Sequence, residues 1–100
     1  MLIIAGTLTV DAEHRGAMLD SVKPMVEATL AESGCQAYAF TPDPDDPGLV
    51  RLYELWDDEE ALAGHMASDH MAAWRKRAAD LSITGRDIKK YTISDVARLG

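Results

Sequence analysis

The sequence predicts an α+β fold of the ferredoxin-like kind, a four-stranded antiparallel sheet with its elements in the order β-α-β-β-α-β. Three observations predict it. Runs rich in β-branched and aromatic residues fall at 2–10, 35–41, 49–56 and 88–96, and apolar residues recur at helical spacing between the first pair of runs and between the last pair. The two middle runs are separated only by Pro42-Asp43-Pro44-Asp45-Asp46-Pro47-Gly48, a turn that makes them a hairpin. No linker, repeat or low-complexity tract divides the 100 residues, so residues 1–100 are read as one domain.

The first strand rests on Leu2, Ile3, Ile4 and Val10, with Thr7 and Thr9 on one face. Asp11 is an N-cap, and a helix is expected over 13–31, where Met18, Val22, Met25, Val26, Thr29 and Leu30 follow the helical period. Pro24 removes a backbone donor and should kink this helix or start its second half, and Gly34 is placed as the glycine just past its end. After the hairpin, Asp57 with Glu60 three residues on reads as a capping pattern for a helix over 59–66. The acidic run 57–60 complements the helix dipole and is not a metal cluster. Ser68 caps a further helical segment over 69–80, Gly85 marks a turn or bulge, and the last strand is expected over 88–96 with Tyr91 and Ile93 on one face.

Composition excludes several function classes. Seventeen acidic against ten basic residues give a net charge of −7, which repels phosphate and excludes nucleic acid as a natural partner. No stretch approaches the ~20 apolar residues of a membrane span, and the N-terminus lacks the basic start and cleavage site of a signal peptide. The single Cys35 has no intramolecular partner, which fits a reducing cytoplasm. Leu2, Ile4 and Leu8 alternate with Ile3 and Ala5, and Leu49, Tyr53 and Leu55 alternate with Val50, Leu52 and Trp56, so the sheet is apolar on both faces. Helices cover one face; the expected cover for the other is a second copy of the chain, packed sheet to sheet as a twofold homodimer.

From 32 to 74 the chain carries an ordered set of residues: Glu32-x-Gly34-Cys35-x-x-Tyr38, Asp45-Asp46-Pro47, Tyr53-Glu54-x-Trp56, Glu60-Ala61-Leu62-x-x-His65, Ser68-x-His70 and Trp74. In this the chain resembles the antibiotic biosynthesis monooxygenase family of dimeric α+β barrel proteins. The resemblance implies a homodimer whose sheets face each other, with a ligand pocket in each subunit between sheet and helices. Its members differ in activity: some oxygenate aromatic polyketides or quinols with O₂ and neither metal nor flavin, some degrade haem, and others are isomerases. The haem-degrading members use an Asn on the first strand, a Trp on the second helix and a downstream His ligand. Here the first strand offers Gly6 and Thr7, His65 stands about where that Trp would be, and Trp74 about where that His would be, so haem degradation is disfavoured.

The candidate site follows. His65 and His70 are the candidate catalytic residues, able to take a proton from a phenol, and Trp74, four residues beyond His70, would stack on a flat substrate. The plainer alternative is that His70 and Trp74 pack and His65 closes a helix end. Tyr53, Glu54 and Met66 complete the expected substrate-binding set. Glu54 shares a face with Leu52 and Trp56 and is either a base or anchor or, more simply, an ion-pair partner of Arg51, Arg75 or Arg77. Met66 suits an adaptable pocket or ordinary core, and Tyr38 and Tyr91 are as well explained as interface aromatics. No metal is expected: His65 and His70 are five apart, which does not align on one helix, and Glu54 or Asp69 would be weak additional ligands. Cys35 lacks an activating neighbour and is read as structural. The expected function is cofactor-free monooxygenation of a phenolic, quinol or polyketide-type aromatic compound. The alternatives are an isomerase or lyase of a small carbonyl compound, or a non-catalytic dimer that binds a hydrophobic ligand.

Overall fold

A computed structural model describes residues 1–100. Strand β1 spans Leu2–Val10, β2 Cys35–Pro42, β3 Leu49–Trp56 and β4 Ile83–Thr92; helices α1, α2 and α3 span Arg15–Leu30, Glu59–Met66 and Asp69–Ala78. The strands pair antiparallel in the order β2-β3-β1-β4. This is the ferredoxin-like α+β arrangement, with the second helical segment broken in two. Strand parity assigns the faces. Leu2, Leu8 and Val10 of β1 and Val50, Leu52 and Trp56 of β3 are buried beneath the helices, where Met18, Val22, Met25 and Thr29 of α1 meet them. Thr29 is the polar residue among these buried α1 side chains; its hydroxyl donates to the Met25 carbonyl at 2.6 Å.

The sequence reading needs correction at several boundaries. Asp11 caps a short 3₁₀ turn, Ala12–His14, before α1 begins. Helix α1 runs through Pro24 as one element, and Leu30 is half exposed instead of belonging to its buried stripe. Gly34 lies past a full turn of chain beyond Leu30 and is not the helix-terminating glycine; its φ of +87° serves the tight turn into β2. The cap of α2 is Asp58, whose carboxylate accepts from the Ala61 amide at 2.8 Å, while Asp57 accepts from the Gln36 side chain. The last strand begins five residues earlier than its apolar residues suggest. Gly85 lies at a bulge in it, opposite Thr9, where the β1 and β4 registers shift.

Candidate functional site

Three short-range features place the site. Helix α2 ends at Met66, and Ser68 caps α3 as a separate helix: its hydroxyl accepts from the Met71 amide and donates to the His65 carbonyl at 2.6 Å. Met71, Trp74, Arg75 and Ala78 then fall at i, i+3, i+4 and i+7, the face of α3 turned to the sheet. Opposite them, Tyr38, Phe40, Leu52 and Glu54 rise from β2 and β3. Between the layers lies a cavity of about 650 Å³, mostly apolar, bordered along the sheet's edge by β4.

His65, Trp74, Glu54 and Met66 all line this cavity; His70 and Tyr53 do not. Trp74 is buried and meets Phe40 edge to face, with ring centroids 6.2 Å apart. His65 is 1% exposed, its ring lodged against Tyr38 and Trp56 at centroid distances of 5.2 and 4.8 Å. Its Nδ1 donates to Glu32 Oε2 at 2.7 Å, and His70 Nε2 donates to the same oxygen at 2.9 Å. That bond fixes the His65 proton on Nδ1 and leaves Nε2 as the unprotonated nitrogen. Burial pushes the His65 pKa down against the opposing pull of Glu32, so the pair is a neutral imidazole hydrogen-bonded to a carboxylate rather than an ion pair.

Two expectations fail here for clear physical reasons. His70 and Trp74 are one turn apart, yet His70 points back to Glu32 in the turn after α1 while Trp74 enters the cavity. Tyr53 is displaced by strand parity: it alternates with Leu52 and Glu54 and lies, 43% exposed, on the sheet face away from the helices.

Glu54 is 8% exposed and has no cationic partner; Arg51 lies on the opposite face and pairs with Asp43. Its Oε1 accepts from Trp56 Nε1 at 2.9 Å, and burial raises its pKa despite that bond. The simpler ion-pair reading of Glu54 is therefore corrected. Burial also raises the Tyr38 hydroxyl, making it a donor rather than a base, and keeps the Cys35 thiol protonated. His14 is remote, exposed, and bonded to Ser82.

Glu32 is the residue that sequence reasoning missed. It stands 33 positions before His65, and only its place at the head of the ordered set of residues from 32 to 74 hinted at a role. Its carboxylate and the two imidazoles bring donor atoms within 4.8 Å of one another, so these three residues could hold a divalent ion. The i, i+5 objection does not apply, because the break at Ser68 places His65 and His70 on different helices.

The antibiotic biosynthesis monooxygenase family model matches residues 1–77. The chain belongs to this family. Among solved structures, a Deinococcus radiodurans protein provisionally named an antibiotic biosynthesis monooxygenase is 27% identical, with a TM-score of 0.90 over 100% of this chain and 99% of that one. A Pseudomonas aeruginosa protein is 26% identical, with a TM-score of 0.80 over 93% and 94% of the two chains. A Mycobacterium tuberculosis protein, 23% identical, shares the fold with a TM-score of 0.84 over 97% and 98%. No curated protein matches the chain. No helix in this family member is long and apolar enough to cross a membrane.

Proposed function

We propose that the protein is a monooxygenase that oxidises a phenolic, quinol-type or polyketide-type aromatic compound with O₂, without metal or flavin. The observation that carries this reading is a neutral, carboxylate-backed imidazole turned into a largely apolar cavity, in a chain of this family. The edge-to-face pair of Trp74 and Phe40 offers an aromatic wall against which a flat ring packs. His65 Nε2 takes the acidic proton of the bound phenol or of an activated CH₂, and Glu32 steadies the imidazolium that forms. Glu54 holds a second substrate oxygen, and His70 acts through Glu32 without touching substrate.

The electron-rich carbanion passes one electron to O₂. The carbon radical and superoxide join in a C–O bond, and the peroxide takes its proton back from His65. Loss of water then leaves a new carbonyl. One oxygen atom stays in the product, the other leaves as water, and the two reducing electrons come from the substrate. Desolvation against the apolar wall of the cavity favours each charge-spreading step and slows simple reprotonation of the carbanion.

The test is O₂ uptake by protein stripped of metal and flavin, with a panel of hydroquinones and anthrones. Uptake is expected with at least one, and His65→Ala should lower kcat/KM roughly 100-fold or more. Product formed without O₂ would turn the reading toward an isomerase or lyase. Binding without turnover, unaffected by His65→Ala, would leave only a ligand-binding dimer.

A further inference from the structure

The chain is acidic, but its cavity is not. Three of the ten basic side chains reach it from the helix-facing side, Arg75, Arg86 and Lys90, a fourth basic residue, Lys89, borders it with its side chain on the outer face, and only one of the seventeen acidic residues, Glu54, lines it. The bias comes from a departure in strand pattern. Register places Arg86 beside Leu8, Ile88 beside Gly6 and Lys90 beside Ile4, so all three share the helix-facing side of the sheet. On that side a ferredoxin-like domain ordinarily buries apolar residues. Here Arg86, Ile88 and Lys90 are exposed, because the helices leave this edge of the sheet open.

The four cations are not equivalent. Lys90 is held by both oxygens of Glu59 at 2.9 and 3.2 Å, and Lys89 by Asp87 at 2.9 Å. Arg75 donates one hydrogen bond, to the Met66 carbonyl at 2.8 Å, and has no carboxylate partner. The Arg86 guanidinium takes part in none of the side-chain hydrogen bonds or ion pairs; only its backbone is paired, with Leu8 in the sheet. Two guanidinium groups, one from α3 and one from the edge strand, thus stand uncompensated at an apolar cavity in a protein with charge −7. Guanidinium matches planar oxyanions in bidentate fashion and suits a site that must also touch an aromatic body. Arg75 and His65 line the same cavity, so the cationic side and the imidazole belong to one chamber.

We propose that the natural ligand of this cavity is an amphiphilic anion, an aromatic ring system bearing a carboxylate or comparable oxyanion, with the ring against Trp74 and Phe40 and the anionic group held by Arg75 and Arg86 at the open edge along β4. The proposal takes the cavity as the substrate site, as above, and narrows the substrate class.

A matched dye pair tests it: 8-anilinonaphthalene-1-sulfonate and the neutral N-phenyl-1-naphthylamine share a ring system and differ by the anionic group. The wild type is expected to bind the sulfonate at least tenfold more tightly. Arg75→Gln with Arg86→Gln should remove that preference while changing the neutral dye's affinity less than twofold. Lys76→Gln with Arg77→Gln, exposed positions that do not line the cavity, should change neither. 1-Naphthoate should displace the sulfonate dye at concentrations where naphthalene-1-methanol does not. Equal binding of the two dyes, a preference that survives loss of both arginines, or absence of any binding would each overturn the proposal. None of these readings needs turnover. A protein that shows the anion preference but consumes no O₂ refutes the oxygenase reading alone, and one that oxidises neutral quinols without the preference refutes only the anionic class.

Discussion

Glu54 and His65 face one cavity, and burial drives both toward their uncharged forms, the acid's pKa upward and the imidazole's downward. The consequence for Glu54 is measurable. The folded chain holds its proton more tightly than the unfolded chain does. The associated stability is complete below the ordinary carboxylate value of 4.5 and is lost as pH rises through the higher folded value. Glu54→Gln mimics the protonated form and keeps an acceptor for Trp56 Nε1. It should raise stability at pH 7–8 by about 1 kcal/mol, or roughly 4–8 °C in Tm, with the gain vanishing as pH approaches 4. A pH series of thermal melts decides it; a gain that is flat or grows toward acid refutes the assignment. At this scale the sequence was legible where one residue implies its own surroundings: Trp74 as a cavity aromatic and Glu54 as an acid on an apolar face. It was not legible where a role depends on contact across the chain. Nothing near Glu32 says that its carboxylate meets two histidines 33 and 38 positions on.

The turn that carries Glu32 is also where the helices dock on the hairpin. Gly34 there has φ +87°, and a Cβ added to it would sit 2.6 Å from the Ala61 Cβ of α2. Left-handed backbone and steric overlap act together, so Gly34→Ala should cost about 2 kcal/mol and lower Tm by about 10 °C. Gly64→Ala in α2, with nothing within 4 Å of the new methyl, should stabilise by up to ~1 kcal/mol through helix propensity. Denaturant melts of the two variants separate the effects, and equal responses would show that the turn tolerates a side chain. The spans of β1, β3 and α2 match their sequence reading because each is a run of one period bounded by turn or capping residues, although the cap of α2 itself is Asp58 and not Asp57. The start of strand β4 was placed at 88 instead of Ile83 because Gly85, Arg86 and Asp87 look like a turn. Those charges mark the one strand whose helix-facing side borders the cavity opening. The i, i+5 spacing of His65 and His70 misled for a related reason, since the periodicity of one helix does not extend past a cap such as Ser68.

The sheet's outer face is graded. Register aligns Ala37, Leu55, Ile3 and Tyr91 in one row and Ala39, Tyr53, Ala5 and Lys89 in the next; Thr41, Arg51, Thr7 and Asp87 follow. Half of the face is therefore apolar and half polar, with Tyr53 and Tyr91 43% and 51% exposed. Sheets pack face to face ~10 Å apart, and a stable interface covers ~800 Å² on each partner, an extent that this face of four strands can supply. We expect two copies to pair through it about a twofold axis, the apolar rows central and the charged row at the rim. Arg51 and Asp87 share that outer row, and twofold pairing can bring unlike charges together at the edge. Equilibrium sedimentation should then give twice the 10.9 kDa chain mass. Introducing charge into the central rows, with Tyr53→Arg and Leu55→Arg together, should return the protein to monomer with its circular dichroism unchanged, because neither side chain belongs to the helix-covered core. A wild-type protein that sediments at 10.9 kDa at micromolar concentration would mean that this face is stable in water by itself, and that the cavity on the other side must do its chemistry within a single chain.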